Sequence, residues 1–90
     1  MADGEIKATL VRKLEAALAP VELEVIDESA GHQGHAGARP GGETHFRVEI
    51  VSQAFAGLSR IERQRLVYRI LAEELAGPVH ALSVGARLPQ

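Results

Sequence analysis

Two stretches of alternating apolar and polar residues flank a glycine-rich segment, and this arrangement constrains the chain more than any other feature of it. Val21-Glu22-Leu23-Glu24-Val25 alternates with the period of a strand that buries one face, and the pattern extends to Asp27 or Glu28. Thr44 to Ser52 alternates again, with Phe46, Val48 and Ile50 on one face and His45, Arg47 and Glu49 on the other. Between them, residues 29–43 carry Gly31, Gly34, Gly37, Gly41 and Gly42, together with Pro40, His32 and His35, and show no periodicity. The pattern predicts an antiparallel pair joined by a flexible loop that is long for a domain of 90 residues. In this register His45 faces away from the core.

Helical segments precede and follow the pair. Ile6, Leu10, Leu14, Ala17 and Leu18 recur at helical spacing, which predicts an amphipathic helix over about Glu5 to Ala19, with Asp3 as its N-cap and Pro20 as its stop. Ser59-Arg60-Ile61-Glu62 fits a capping box, in which the serine oxygen and the glutamate carboxylate satisfy N–H groups that the first turn leaves without partners. The helix it opens is expected to run to about Ala76, burying Leu66, Val67, Ile70, Leu71 and Leu75, and to end at Gly77-Pro78. Val79 to Val84 reads as a third strand with His80 on the face of Leu82 and Val84, and residues 87–90 as a tail. The order α-β-β-α-β is that of a small α+β domain, a three-stranded sheet covered by helices, with residues 1–90 forming one domain.

Composition narrows the function. The chain has no cysteine, so disulfides, thiol catalysis and cysteine-ligated zinc are excluded. A chain this short buries only about 60–65% of the surface it exposes when unfolded, which disfavours an enclosed substrate cavity. Ten Lys and Arg against twelve Asp and Glu give a net charge of -2, so the overall field does not steer the chain to nucleic acid or acidic membranes. No apolar run is long enough to span a bilayer, and the first residues lack the pattern of a signal peptide, so a cytoplasmic protein without a membrane role is expected. Nothing arranges a nucleophile with a base: Glu73 and Glu74 are consecutive on a helix, about 100° apart. An enzyme is not expected.

With cysteine absent, His32, His35, His45 and His80 are the side chains that titrate near neutrality and bind borderline metals. His32 and His35 sit three apart in the loop, where either could reach a metal or remain solvated. His45 could equally be a cross-strand partner, and His80, among apolar neighbours, a partly buried structural histidine. Arg60, Arg63, Arg65 and Arg69 gather at the start of the second long helix, a cationic surface suited to phosphates, although Glu62 interrupts it. Gly31-His32-Gln33-Gly34 matches the GxxG of KH domains, but here it lies between two strands rather than two helices, and it is discounted.

Leu23-Glu24-Val25-Ile26-Asp27-Glu28-Ser29, Glu43-Thr44-His45-Phe46-Arg47-Val48, Val51-Ser52-Gln53-Ala54-Phe55-Ala56-Gly57, and Leu71 to Leu75 followed by Val79-His80-Ala81-Leu82 together resemble the BolA family across nearly the whole chain. The resemblance implies a KH-like (class II) α+β fold with a short helical turn over Gln53 to Leu58. It implies a heterodimer with a monothiol glutaredoxin of the CGFS type that shares a [2Fe-2S] cluster, with sulfur ligands from the glutaredoxin and glutathione. On the BolA side, the family pattern maps the ligands onto His80 and His32, with His35 and His45 in reserve. The isolated chain would then carry no cofactor, and its exposed sheet edges would permit a homodimer. A second line implied by the resemblance is DNA binding and transcriptional regulation through Arg60, Arg63, Arg65 and Arg69. Gln64 stands where many members have histidine, so a role that needs that histidine is not carried over.

Overall fold

The two alternating stretches form β1 (Glu22–Asp27) and β2 (His45–Val51), paired antiparallel with Val25 opposite Val48 and Asp27 opposite Phe46. The structure, a computed structural model, describes residues 4–28 and 44–90. Asp3, His32, His35 and the rest of the predicted loop lie outside the described residues. The ladder extends one bond beyond each end of β1, from the Val21 N–H to the Val51 carbonyl and from the Glu28 N–H to the His45 carbonyl, 2.9 and 2.8 Å.

Helix α1 (Glu5–Leu18) buries Leu10, Leu14 and Leu18, the stripe that the periodicity marks. Gly4 is its N-cap at φ +81° and makes no side-chain capping bond, so the cap is not Asp3 as expected. The helix ends one residue early, because Ala19 adopts the left-handed conformation (φ 44°) and its N–H bonds to the Glu15 carbonyl. Ser52 fastens this end: its buried hydroxyl donates to the Leu18 carbonyl at 2.6 Å and accepts the Ala54 N–H at 3.1 Å. The second bond opens a 3-10 turn (Gln53–Phe55), which delivers Phe55 fully into the core.

The capping box forms as read, with Ser59 and Glu62 bonded reciprocally at 2.8 and 3.2 Å. The helix that it starts is interrupted, giving α2 (Arg60–Ile70) and a short α3 (Ala72–Ala76) instead of one rod to Ala76. At the break, Leu71 turns to φ −101°, ψ 20° with its side chain fully buried. The turn brings α3 to α1, where Lys13 reaches both Glu73 and Glu74 at 2.9 and 2.8 Å.

Strand β3 (Ala81–Arg87) pairs parallel with β2 and completes a sheet in the order β1-β2-β3. A parallel return needs a crossover, and the turn, α2 and α3 supply it. The strand begins two residues later than expected and takes Arg87 from the predicted tail. The cause lies at its entry: the Val79 N–H still bonds to the Glu74 carbonyl at the end of α3, and the parallel ladder starts only with Ala81 opposite His45. His80 therefore precedes the strand and is exposed rather than partly buried. Val25, Phe46, Val48 and Ile50 of the sheet face the α1 leucines, Phe55, Val67, Leu71 and Val79 in one core. At about 25 cal/mol per Å², this apolar burial is the main favourable contribution to folding. Among the described residues, no helix is long and apolar enough to cross a membrane.

Candidate functional site

Thr44 organises the end of the sheet from which residues 29–43 depart. Its backbone carbonyl accepts the N–H groups of both His80 and Ala81, at 2.8 and 3.2 Å, and so fixes the chain just before β3. Its hydroxyl lies 2.8 Å from Nδ1 of His45, the first residue of β2. Two histidines distant in sequence are thereby held together, with ring centroids 6.3 Å apart and ring planes at 73°. His45 is half-buried and His80 exposed, while Thr44 itself is buried. Because the bond from the Glu28 N–H to the His45 carbonyl closes the β1–β2 ladder here, the segment carrying His32 and His35 leaves from and returns to this corner. Where those two imidazoles sit is outside the described residues.

The two side chains brought together at this corner are both imidazoles. Among the described residues, no group of three or more His, Asp or Glu converges as a metal cage. With no cysteine in the chain, a cluster bound here must draw its thiolates from elsewhere. An exposed imidazole, fixed through its backbone and open on its outer side, suits such shared ligation.

The arginines occupy a second surface. Arg60, Arg65 and Arg69 are exposed. Arg63 is partly buried and engaged: its Nε donates to the Leu58 carbonyl at 3.0 Å and its Nη1 to the Ala86 carbonyl at 3.3 Å. Between the first turns of α2 and the end of β3 lies a groove lined by Arg60, Arg63, Gln64, Val84, Ala86 and Arg87. The N-terminal dipole of α2 adds to this positive field. Glu62 belongs to the capping box, and its carboxyl is held below the usual carboxylate range by the Ser59 backbone N–H and then by the Ser59 hydroxyl. Glu73 and Glu74 are occupied by Lys13; this ion pair holds the Glu73 carboxyl below its ordinary value.

Sequence reasoning missed Thr44 and the structural use of Arg63. Neither carries a local signal, since each acts through carbonyls or rings that come close only after β3 docks beside β2.

The pattern of the BolA-like protein family matches residues 14–90. The chain belongs to the BolA family. It is 54% identical over 86 residues to BolA-like protein 1 of Homo sapiens, covering 96% of this chain and 60% of that protein. The chain thus spans about three-fifths of the length of such curated relatives. The DNA-binding transcriptional regulator BolA of Escherichia coli is 46% identical over 79 residues, covering 88% of this chain and 71% of the regulator. Among solved structures, the BolA domain of SufE1 from Arabidopsis thaliana superposes with a TM-score of 0.85 at 48% identity, covering 98% of this chain and 96% of that one. The solution structure of BolA1 from Mus musculus gives a TM-score of 0.79 at 50% identity, covering 99% and 69%. The α+β architecture with a three-stranded sheet is therefore that of BolA domains.

Proposed function

We propose that this BolA-family chain binds a monothiol glutaredoxin and shares with it a glutathione-ligated [2Fe-2S] cluster, in iron-sulfur trafficking or iron and redox sensing. The observation that carries this reading is the exposed His80, fixed by the Thr44 carbonyl at the corner where the histidine-bearing segment is anchored. His80 is one protein-side ligand and His32 the second, with His35 and His45 as reserves. Imidazole in place of thiolate on one iron lowers the ligand charge, raises the cluster potential and leaves that side open to protonation. The role is one of binding rather than catalysis.

The test is anaerobic reconstitution with a CGFS glutaredoxin, iron, sulfide and glutathione, followed by visible absorption and circular dichroism. A heterodimer spectrum distinct from that of the glutaredoxin alone, and lost in His80→Ala, is expected. An unaltered glutaredoxin spectrum with no complex overturns the reading.

A second reading, DNA binding by the face of α2, is favoured by the exposed Arg60, Arg65 and Arg69 beside the basic groove. It predicts a salt-dependent affinity whose log–log slope falls by about one for each of these arginines removed. Affinity that does not respond to salt ends it.

A further inference from the structure

The two edges of the sheet are treated differently. At the β3 edge, Tyr68 and Arg63 of α2 donate to the carbonyls of Leu82 and Ala86 and so cover it. At the other edge, β1 pairs with β2 alone among the described residues. The Glu28 N–H bonds to the His45 carbonyl, and backbone groups alternate in direction along a strand. Those of Glu24 and Ile26 therefore turn to β2, while the N–H and carbonyl groups of Leu23 and Val25 point out of the sheet. An uncovered row of this kind is a template for another strand.

The side chains decide which strand fits. Glu22 and Glu24 are exposed on the face away from the core and have no ion-pair partner among the described residues, whereas Glu28 meets Arg47 at 3.4 Å. Glu24 stands opposite Glu49 in the ladder, an arrangement that repels, and the Glu49 carboxylate lies over Gly85 of β3, in space that a Cβ there would fill. A cation laid beside Glu24 offsets that repulsion. On the core side, Leu23 and Val11 of α1 are half-buried against the core, and Val21, at the start of the edge, is 65% exposed. The edge thus offers carboxylates on one face and apolar groups on the other. A second copy of β1 brings the same carboxylates to the seam and meets like charge.

We propose that the outer edge of β1 is a docking site for an extended basic segment of a partner chain, which adds to the sheet as a fourth strand. Lys or Arg at alternate positions lies beside Glu22 and Glu24, and the apolar residues between them continue the core face next to Leu23. The backbone groups of Leu23 and Val25 supply the main-chain bonds, and the carboxylates select the partner. The site uses neither the histidines nor the arginines of α2, so its test is separate from those of the cluster and DNA readings.

The experiment titrates the 15N-labelled full chain with a synthetic hexapeptide of alternating lysine and valine, following backbone amide shifts and hydrogen exchange by NMR. At saturation the Leu23 and Val25 amides should shift and exchange at least about tenfold more slowly. Glu22→Lys combined with Glu24→Lys should weaken binding at least about tenfold, and a glutamate–valine peptide should not bind. The lysine–valine peptide N-methylated on the residues that face β1 keeps its charge but cannot donate to the edge, and it should lose the amide protection. Binding without protection of Leu23 and Val25, equal binding of the methylated or the acidic peptide, or no binding at all would each overturn the site. So would protection of the same amides by self-association of the chain alone. Should the double variant fail to fold, the methylated peptide decides on the unaltered protein.

Discussion

Replacing Arg63 by alanine should destabilise the fold, which separates it from the three exposed arginines of the same helix. Its guanidinium makes a well-formed bond to the Leu58 carbonyl at 3.0 Å and a longer one to the Ala86 carbonyl at 3.3 Å, tying the entry of α2 to the end of β3. Hydrogen bonds that involve a charged group contribute roughly 1.5–3 kcal/mol each when well made and buried. Here the side chain is only partly buried, one bond is long, and both carbonyls can recover water once it is gone. The expected loss is therefore about 1–2 kcal/mol for both bonds together. With a urea m-value of about 1–2 kcal/mol/M for so small a domain, the midpoint should fall by roughly 0.5–2 M. The assay is urea unfolding followed by far-UV circular dichroism, with Arg65→Ala as the control expected within about 0.5 kcal/mol of the parent. Arg63→Lys should recover little, since an ammonium cannot hold the two-pronged geometry. A midpoint for Arg63→Ala indistinguishable from that of Arg65→Ala would refute the reasoning. The distinction matters for the DNA reading, because weaker DNA binding in Arg63→Ala would mix a stability loss with a lost phosphate contact.

Three further predictions concern the cap of α2 and the contact between α1 and α3. Ser59→Ala should cost about 1 kcal/mol by removing the N-cap of α2. Because Glu62 titrates below its ordinary value in the fold, the stability it adds is present above the unfolded carboxyl range and is lost as pH falls through its lowered value. The stability gap between parent and Glu62→Gln should thus narrow on acidification in urea melts, and a gap that widens or stays constant as the pH falls through the acid range would contradict this. Lys13 behaves with the opposite sign: its bonds to Glu74 and then Glu73 hold its ammonium above the ordinary lysine value. Its contribution is complete below the unfolded lysine value and is lost as pH rises through the raised one. Lys13→Met should speed amide exchange in α3 near neutral pH, and unchanged protection there would show that the ion pairs do not hold α3 to α1.

The parts of the fold legible in the sequence are those that a short window specifies. Alternation marked both strands of the antiparallel pair, and Ser59 with Glu62 announced the start of α2, because these patterns depend on neighbours within a few residues. The misplaced features answer to distant partners. The break at Leu71 has no proline or glycine behind it and accompanies full burial of that side chain against the core. The start of β3 depends on which carbonyl the His80 and Ala81 N–H groups meet, and that carbonyl belongs to Thr44. At the candidate site, the histidines were visible as residue types, but the pairing of His45 with His80 was not, since it follows from parallel register between β2 and β3.

That same register separates the two candidate surfaces. The Arg87 carbonyl accepts the Ser52 N–H, so it points towards β2. Carbonyls alternate along a strand, so those of Leu82, Val84 and Ala86 point outward along the free edge of β3. Tyr68 donates to the Leu82 carbonyl at 3.2 Å and Arg63 to that of Ala86, so side chains of α2 cover most of an edge that would otherwise invite another strand. Helix and edge are locked together along the length of β3, with the histidine corner at one end and the basic groove at the other. Seven residues of strand span roughly 20 Å, beyond the distance at which substitutions ordinarily couple. A change at His80 should therefore leave the arginine face as it was, and the cluster and DNA readings are separable by point substitution within a single small domain.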